Sequence, residues 1–163
     1  MERPAWLPYL APVEGPVSTV VQRLYRRFLD DFDRAPRYFG GLPVSFDRAV
    51  VPGEVYEQGF WHLVSRDDPR TRTRQFDPRR AERLPWCAAL LDHASEPGVR
   101  VWDYREAHGI LRTYVWLEQW DYVVVLENID RRTVASFHVV TAYWVEGPAT
   151  ARRFRQKYDR RIK

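Results

Sequence analysis

Apolar residues recur at helical spacing from position 17 onward. Val17, Val20, Val21, Leu24, Phe28 and Phe32 share one face, and Gln22, Arg23, Arg26, Arg27, Asp30 and Asp31 fill the other. This pattern predicts an amphipathic helix of about four or five turns. It ends before Pro36, and Gly40-Gly41 marks a turn. Residues 1–15 are Pro-rich and read as an irregular arm, leaving 16–163 as a single domain. Positions 43–50 can form a short strand. The apolar run 60–65 reads as a better one, bounded by Gly59 and a polar loop at 66–76. Asp77-Pro78 is a helix start, with Asp as N-cap and Pro in the first turn. Pro85 breaks or restarts that helix. Trp86, Leu90 and Leu91 give the second piece an apolar stripe, and Glu96-Pro97-Gly98 closes it.

From Val99 the period changes to two. Residues 99–104, 110–118, 122–127 and 134–145 predict four strands. His108-Gly109, Gln119-Trp120 and residues 128–132 are the turns between them. Short turns imply antiparallel neighbours. Residues 147–162 predict a basic closing helix with Phe154 and Tyr158 on one face. The expected architecture is α+β: a four-stranded antiparallel meander with helices packed on one face, an N-terminal amphipathic helix and a basic C-terminal helix.

Composition narrows the class. The chain has 163 residues, 45% hydrophobic and 15% aromatic, enough to bury a real core in one domain. No apolar run is long enough for a transmembrane helix, and the first 20 residues carry no secretory apolar stretch. With Cys87 alone there is neither an internal disulfide framework nor a Cys-based zinc site. These features predict a soluble, cytoplasmic protein with no membrane partner. The formal charge is +4, which permits an anionic partner.

The location of the charge says more. All basic residues but Lys157 and Lys163 are Arg, the side chain suited to bidentate phosphate contacts. One basic cluster runs from Arg66 to Arg83 and includes Arg66, Arg79 and Arg80; another lies at 152–163 and includes Lys157. Together they read as a phosphate-binding footprint or as solvated loop and tail. On strand 110–118, Arg112, Tyr114, Trp116 and Glu118 share one face. That row fits a base-stacking surface with a phosphate contact, or an aromatic ladder with an Arg–Glu pair. On the last strand strict alternation puts Val139, Thr141 and Tyr143 on one face and turns His138 away. The hydroxyls of Thr141 and Tyr143 would then lie about 7 Å apart.

His62 is the most informative histidine. It lies in an apolar run just before the Arg cluster. Burial and neighbouring cations would both lower its pKa and keep a neutral imidazole available as a base; the alternative is a core histidine hydrogen-bonded to backbone. His93 reads as a helix-end residue, His108 as a turn residue, and His138 as packing or surface. No close histidine pair makes a local metal motif, and no metal or cofactor is expected. Nucleophile-elbow, phosphate-loop and dinucleotide fingerprints are absent.

These pieces occur in a particular order. Trp61-His62-Leu63-Val64 leads into Asp-Pro-Arg-Arg-Ala-Glu-Arg-Leu-Pro-Trp at 77–86; Trp102 and the Arg-x-Tyr-x-Trp-Leu-Glu strand at 112–118 follow, then 122–126 and Thr141-Ala142-Tyr143. Over residues 58–158 the order resembles phage- and mobile-element-borne nucleases of the barnase–EndoU–colicin–RelE-like superfold. The resemblance implies a metal-independent ribonuclease, often a toxin with a neutralising antitoxin-like partner. Such an enzyme uses the 2′-hydroxyl of RNA as nucleophile and leaves a 2′,3′-cyclic phosphate. It would make His62 the acid–base residue, Arg83 a phosphate-stabilising cation, and Thr141 with Tyr143 the hydroxyl pair. The EndoU-like pattern's second catalytic histidine and internal lysine are missing; Glu118 or Arg112 would have to substitute, and if neither reaches the site the resemblance implies a non-catalytic RNA binder. Two alternatives stand beside this reading: a non-catalytic single-stranded nucleic-acid-binding module, and a phage accessory subunit that binds protein.

Overall fold

The computed structural model describes residues 2–131 and 134–162. Residues 2–15 form no helix or strand, yet they are docked on the body: Leu7 is fully buried, Trp86 Nε1 donates to the carbonyl of Pro8 at 2.9 Å, and Trp6 stacks on His93. Helix α1 (Val17–Phe32) buries Val20, Val21, Leu24, Phe28 and Phe32 of the predicted stripe, while Val17 at its first turn is exposed and Asp31 of the expected polar face is buried. Strands β1 (Tyr38–Phe39) and β2 (Leu42–Phe46) come next.

The segment expected as a strand at 60–65 is instead a helix, α2 (Gln58–Val64). Phe60, Leu63 and Val64 recur at i, i+3, i+4 and all face the core, so a short apolar run obeyed the helical period. The expected loop 66–76 is a hairpin of β3 (Ser65–Asp67) and β4 (Arg74–Phe76), turned through Arg72 at φ +55°. Helix α3 (Pro78–Ala81) starts where Asp77 predicts, its side chain accepting from the backbone N–H groups of Arg79 and Arg80. Helix α4 (Leu84–Asp92) restarts at Pro85 and buries Trp86, Leu90 and Leu91.

The four C-terminal strands stand near their expected limits: β5 (Val99–Arg105), β6 (Leu111–Leu117), β7 (Tyr122–Arg131) and β8 (Val134–Trp144). The expected turn at 128–132 is displaced, because residues 128–131 continue β7; positions 132 and 133 lie outside the described residues. Helix α5 (Gly147–Asp159) closes the chain.

The sheet differs from the four-stranded antiparallel one expected. It is mixed and six-stranded, in the order β1-β2-β8-β7-β6-β5, and β2 adds to β8 in parallel. The remaining pairings are antiparallel. The helices also occupy both faces rather than one. On one face α1, α2 and α4 enclose the larger core with Val115, Val124, Leu126, Val139 and Ala142. On the other, α5 packs Phe154 over Trp102, Tyr114, Trp116, Val123 and Val125. The two chain ends supply the difference: the N-terminal half adds the parallel edge, and the basic helix carries an apolar stripe that covers the second face.

One irregularity in β8 matters for everything that follows. Val125 of β7 pairs with Thr141 and Leu126 with Val139, so Val140 is an extra residue, a β-bulge. The bulge shifts the alternation by one. Val139 and Ala142 therefore share the larger core, while Thr141 turns to the opposite face with Tyr143. The expectation that His138 faces away from Thr141 is overturned for the same reason. His138 pairs with Glu127 and Thr141 with Val125, residues two apart on one face of β7.

Helix α2 is seated tightly. A Cβ on Gly59 would stand 2.9 Å from Phe46 Cβ and Cδ2 and 3.0 Å from the Asp47 backbone nitrogen. Gly59→Ala is therefore expected to destabilise the protein by about 1–3 kcal/mol, the usual effect of overpacking. At this chain length that is a fall of roughly 2–4 °C in Tm per kcal/mol. A melt followed by circular dichroism checks it, and an unchanged Tm would contradict so close an approach of α2 to β2.

Candidate functional site

Helix α2 ends at Val64, and a helix C-terminus leaves carbonyls without intrahelical partners. Two of the carbonyls at this end are satisfied from outside. Arg80 Nη1 donates to the carbonyls of Ser65 at 3.1 Å and His62 at 3.4 Å, and Thr141 Oγ1 donates to His62 at 3.2 Å. Arg80 Nη1 also lies 3.5 Å from Thr141 Oγ1. The guanidinium of α3 thus joins α2 to β8. Beyond Val139, where β2 stops pairing, β8 is met by α2 and α3 instead.

This junction opens as a cavity of about 270 Å³ lined by His62, Ser65, Arg66, Asp67, Arg74, Arg80, Val140 and Thr141. Three guanidinium groups face one carboxylate there. His62 is half-buried, and its pKa lies below the ordinary 6.5, first because of burial and then because of Arg74. The imidazole is therefore neutral at neutral pH. Arg80 is mostly buried; its nearest carboxylate, Asp77, stands 3.7 Å away and is shared with Arg66 at the same distance. Burial lowers the Arg80 pKa, the mark of a cation whose charge is incompletely offset. Arg74 Nη2 donates to Gln58 Oε1 at 2.8 Å, but its buried Nη1 has no hydrogen-bond partner among the described residues. An oxyanion in this cavity would meet net positive charge, three guanidinium groups against one carboxylate.

Two further cavities continue the first. One, of about 470 Å³, shares Arg66 and Arg80 with it and adds Asp77, Arg79, Tyr143, Trp144 and Glu146. The other, of about 320 Å³, shares Thr141 and adds Glu106, Arg112, Tyr114, Tyr143 and Lys157. Tyr143 lies between these two, with the Arg80 guanidinium 5.1 Å from its ring centre. Burial pushes its phenol upward in pKa, so it is an un-ionised hydroxyl. In the third cavity Lys157 Nζ is 2.5 Å from Glu106 Oε1 and 2.7 Å from Tyr114 Oη, and the Tyr114 hydroxyl donates to Glu106. Burial pushes Glu106 up, but the bonds from Lys157 and Tyr114 hold it below the usual carboxylate value. Burial and Glu106 both push Tyr114 up. Glu106 is thus the carboxylate of this cluster and Tyr114 the phenol.

The structure places His62, Arg66, Arg80 and Thr141 around one cavity, with Tyr143 and Arg79 in the second and Tyr143, Arg112, Tyr114 and Lys157 in the third. Three expected residues stand elsewhere. Arg83 is buried, paired with Glu82 and flanked by the rings of Trp86 and Trp144; Arg80 faces the cavity in its place. Glu118 is held by Arg100 and Arg155, each at 2.7 Å, and does not line the His62 cavity. Trp116 is fully buried against Phe154, so the expected row of stacking aromatics is core rather than surface. Arg112 pairs with Glu127 at 3.3 Å. The sequence reading missed Ser65, Arg74 and Glu106. Arg74 was visible as part of the basic run, but its return to His62 depends on the β3–β4 hairpin. Glu106 had no local signal.

Among the described residues no group of three His, Cys, Asp or Glu side chains is placed to hold a metal ion, and no helix is long and apolar enough to cross a membrane. No protein-family model, curated protein or solved structure matches the chain.

The depressed His62 pKa has a signed consequence. Between 6.5 and the lower folded value, the unfolded chain binds more protons than the native one, so the His62 contribution is complete above 6.5 and is lost as pH falls through that window. Urea unfolding over a pH series should show stability dropping below 6.5, with a shallower drop in His62→Gln. Equal slopes in the two proteins would contradict the assignment.

Proposed function

We propose that this chain is a metal-independent endoribonuclease of the kind its residue order resembles, cleaving RNA by attack of the 2′-hydroxyl. The observation that carries the reading is the neutral imidazole of His62 lining one open cavity with Arg66, Arg74 and Arg80 against the single carboxylate of Asp67.

In-line cleavage requires a base for the 2′-hydroxyl, charge stabilisation at the phosphorane and a proton for the 5′-oxygen. His62 supplies the base. A positioned acid–base group contributes ~10²–10⁴-fold. Arg80 and Arg74 stand where the phosphate oxygens would gather charge, and fixed donors of this kind contribute roughly 10²–10³-fold each. Arg66 and Arg79 extend the positive field along the groove and would follow the RNA backbone. Thr141 and Tyr143 add hydroxyls on the floor. Glu118 and Arg83 have no part in this scheme. The products would be a 2′,3′-cyclic phosphate and a 5′-hydroxyl. Acting on cytoplasmic RNA, such an enzyme would require a neutralising antitoxin-like protein in its host.

The non-catalytic alternative would have to rely on Arg112 and the basic C-terminus, because Tyr114 and Trp116 are buried and offer no exposed stacking surface. Oligonucleotide binding by a groove of this charge would still be salt-dependent, so binding alone does not separate the two readings.

Cleavage does. Purified protein with total RNA in EDTA should give fragments ending in cyclic phosphate. His62→Ala should lower the rate by roughly 10²–10⁴-fold. Equal activity in wild type and His62→Ala, or activity that returns only with added divalent metal, would overturn the mechanism.

A further inference from the structure

The scheme above leaves the proton for the 5′-oxygen unassigned, and the groove contains a built cluster that it does not use. Lys157 projects from α5 into the third cavity. Its ammonium is held by Glu106 and Tyr114 and stands 4.8 Å from the Tyr114 ring centre and 5.0 Å from that of Tyr104. The cluster is partly open, with Lys157 30% and Glu106 27% exposed. Glu106 is anchored in turn by its hairpin, its N–H donating to the Ile110 carbonyl at 2.8 Å.

The residue type is itself an observation. The chain uses Arg for every other cation among the described residues. A guanidinium binds phosphate well but does not release its proton, whereas an ammonium does both. Lys157, the one Lys among the described residues, stands where the other cations of the three cavities are Arg. Thr141 lines both the His62 cavity and the Lys157 cavity, so one phosphodiester reaching from the first into the second would pass from the base to the ammonium.

We infer that Lys157 is the proton donor to the leaving 5′-oxygen, with Glu106 and Tyr114 as its positioning residues. The inference rests on the ribonuclease reading. In the step, the 2′-oxygen forms a bond to phosphorus as its proton passes to His62. The bond from phosphorus to the 5′-oxygen breaks with its electron pair on oxygen, and Lys157 supplies the proton there. The amine then regains a proton from water, and the imidazolium returns one.

The test compares two synthetic dinucleotides, one with the natural 5′-oxygen and one with bridging sulfur at that position. A thiolate leaves without a proton, so loss of a donor matters only for the oxygen substrate. Lys157→Met and Lys157→Arg are expected to lose ~10²–10⁴-fold on the oxygen substrate. On the sulfur substrate both should fall less than about 10-fold, since the donor term alone is removed. Lys157→Arg keeps the ion pair with Glu106, so a melt matching wild type separates chemistry from folding. Full activity of either variant on the oxygen substrate overturns the donor role, and so does equal loss on both substrates. Wild-type protein that cleaves neither substrate overturns the ribonuclease reading itself.

Discussion

One guanidinium connects the parts of this molecule that would otherwise be independent. Arg80 donates to two carbonyls at the end of α2 and reaches the hydroxyl of Thr141 on β8. Without it, the Ser65 carbonyl at the end of the short helix that carries His62 would lose its guanidinium donor, and the His62 carbonyl would keep only the Thr141 hydroxyl; an unsatisfied buried carbonyl costs about 1–3 kcal/mol. The same group is a cation with a distant, shared counter-charge. Its structural bonds use Nη1, its Nε lies 3.7 Å from Asp77, and the side chain lines the cavity. A native fold that retains such a cation pays in desolvation, and an anionic ligand would recover that term.

The bulge at Val140 is the second constraint. An unbroken β8 would place Thr141 and Tyr143 on the face of Val139, toward the larger core. The extra residue re-aims Thr141 and Tyr143 toward the face covered by α5, and so toward the Lys157 cluster. Helix α5 then has two roles. Phe154 seals Trp116 and Tyr114 beneath it, and one turn later Lys157 emerges at the groove. The apolar half of that helix positions the charged half.

Much of the fold was legible because long periods are hard to misread. The stripe from Val20 to Phe32 and the alternation from Val99 to Trp144 each repeat often enough to exclude the other period. Residues 58–64 offered only two helical turns, and their apolar run suited either period. The second buried face was hidden for a related reason: Arg112, Tyr114 and Trp116 look like surface until Phe154 is known to lie on them. Of the candidate site, His62, Arg66, Arg80, Thr141 and Tyr143 were legible as residue types. Arg80 against Arg83 was decided by one turn of helix, which sequence spacing could not resolve. The β3–β4 pairing and the Glu106 hairpin act over long range and left no local trace.

The central claim is that an RNA phosphate is held between His62 and Arg80 over Thr141. A crystal structure with a 2′-deoxy dinucleotide, which lacks the nucleophile and cannot be cleaved, tests this most directly. The account predicts the scissile phosphate within hydrogen-bond distance of the Arg80 or Arg74 guanidinium, with the imidazole facing the 2′ position. A dinucleotide bound outside this groove, or an imidazole turned into the core with the cavity empty, would contradict it.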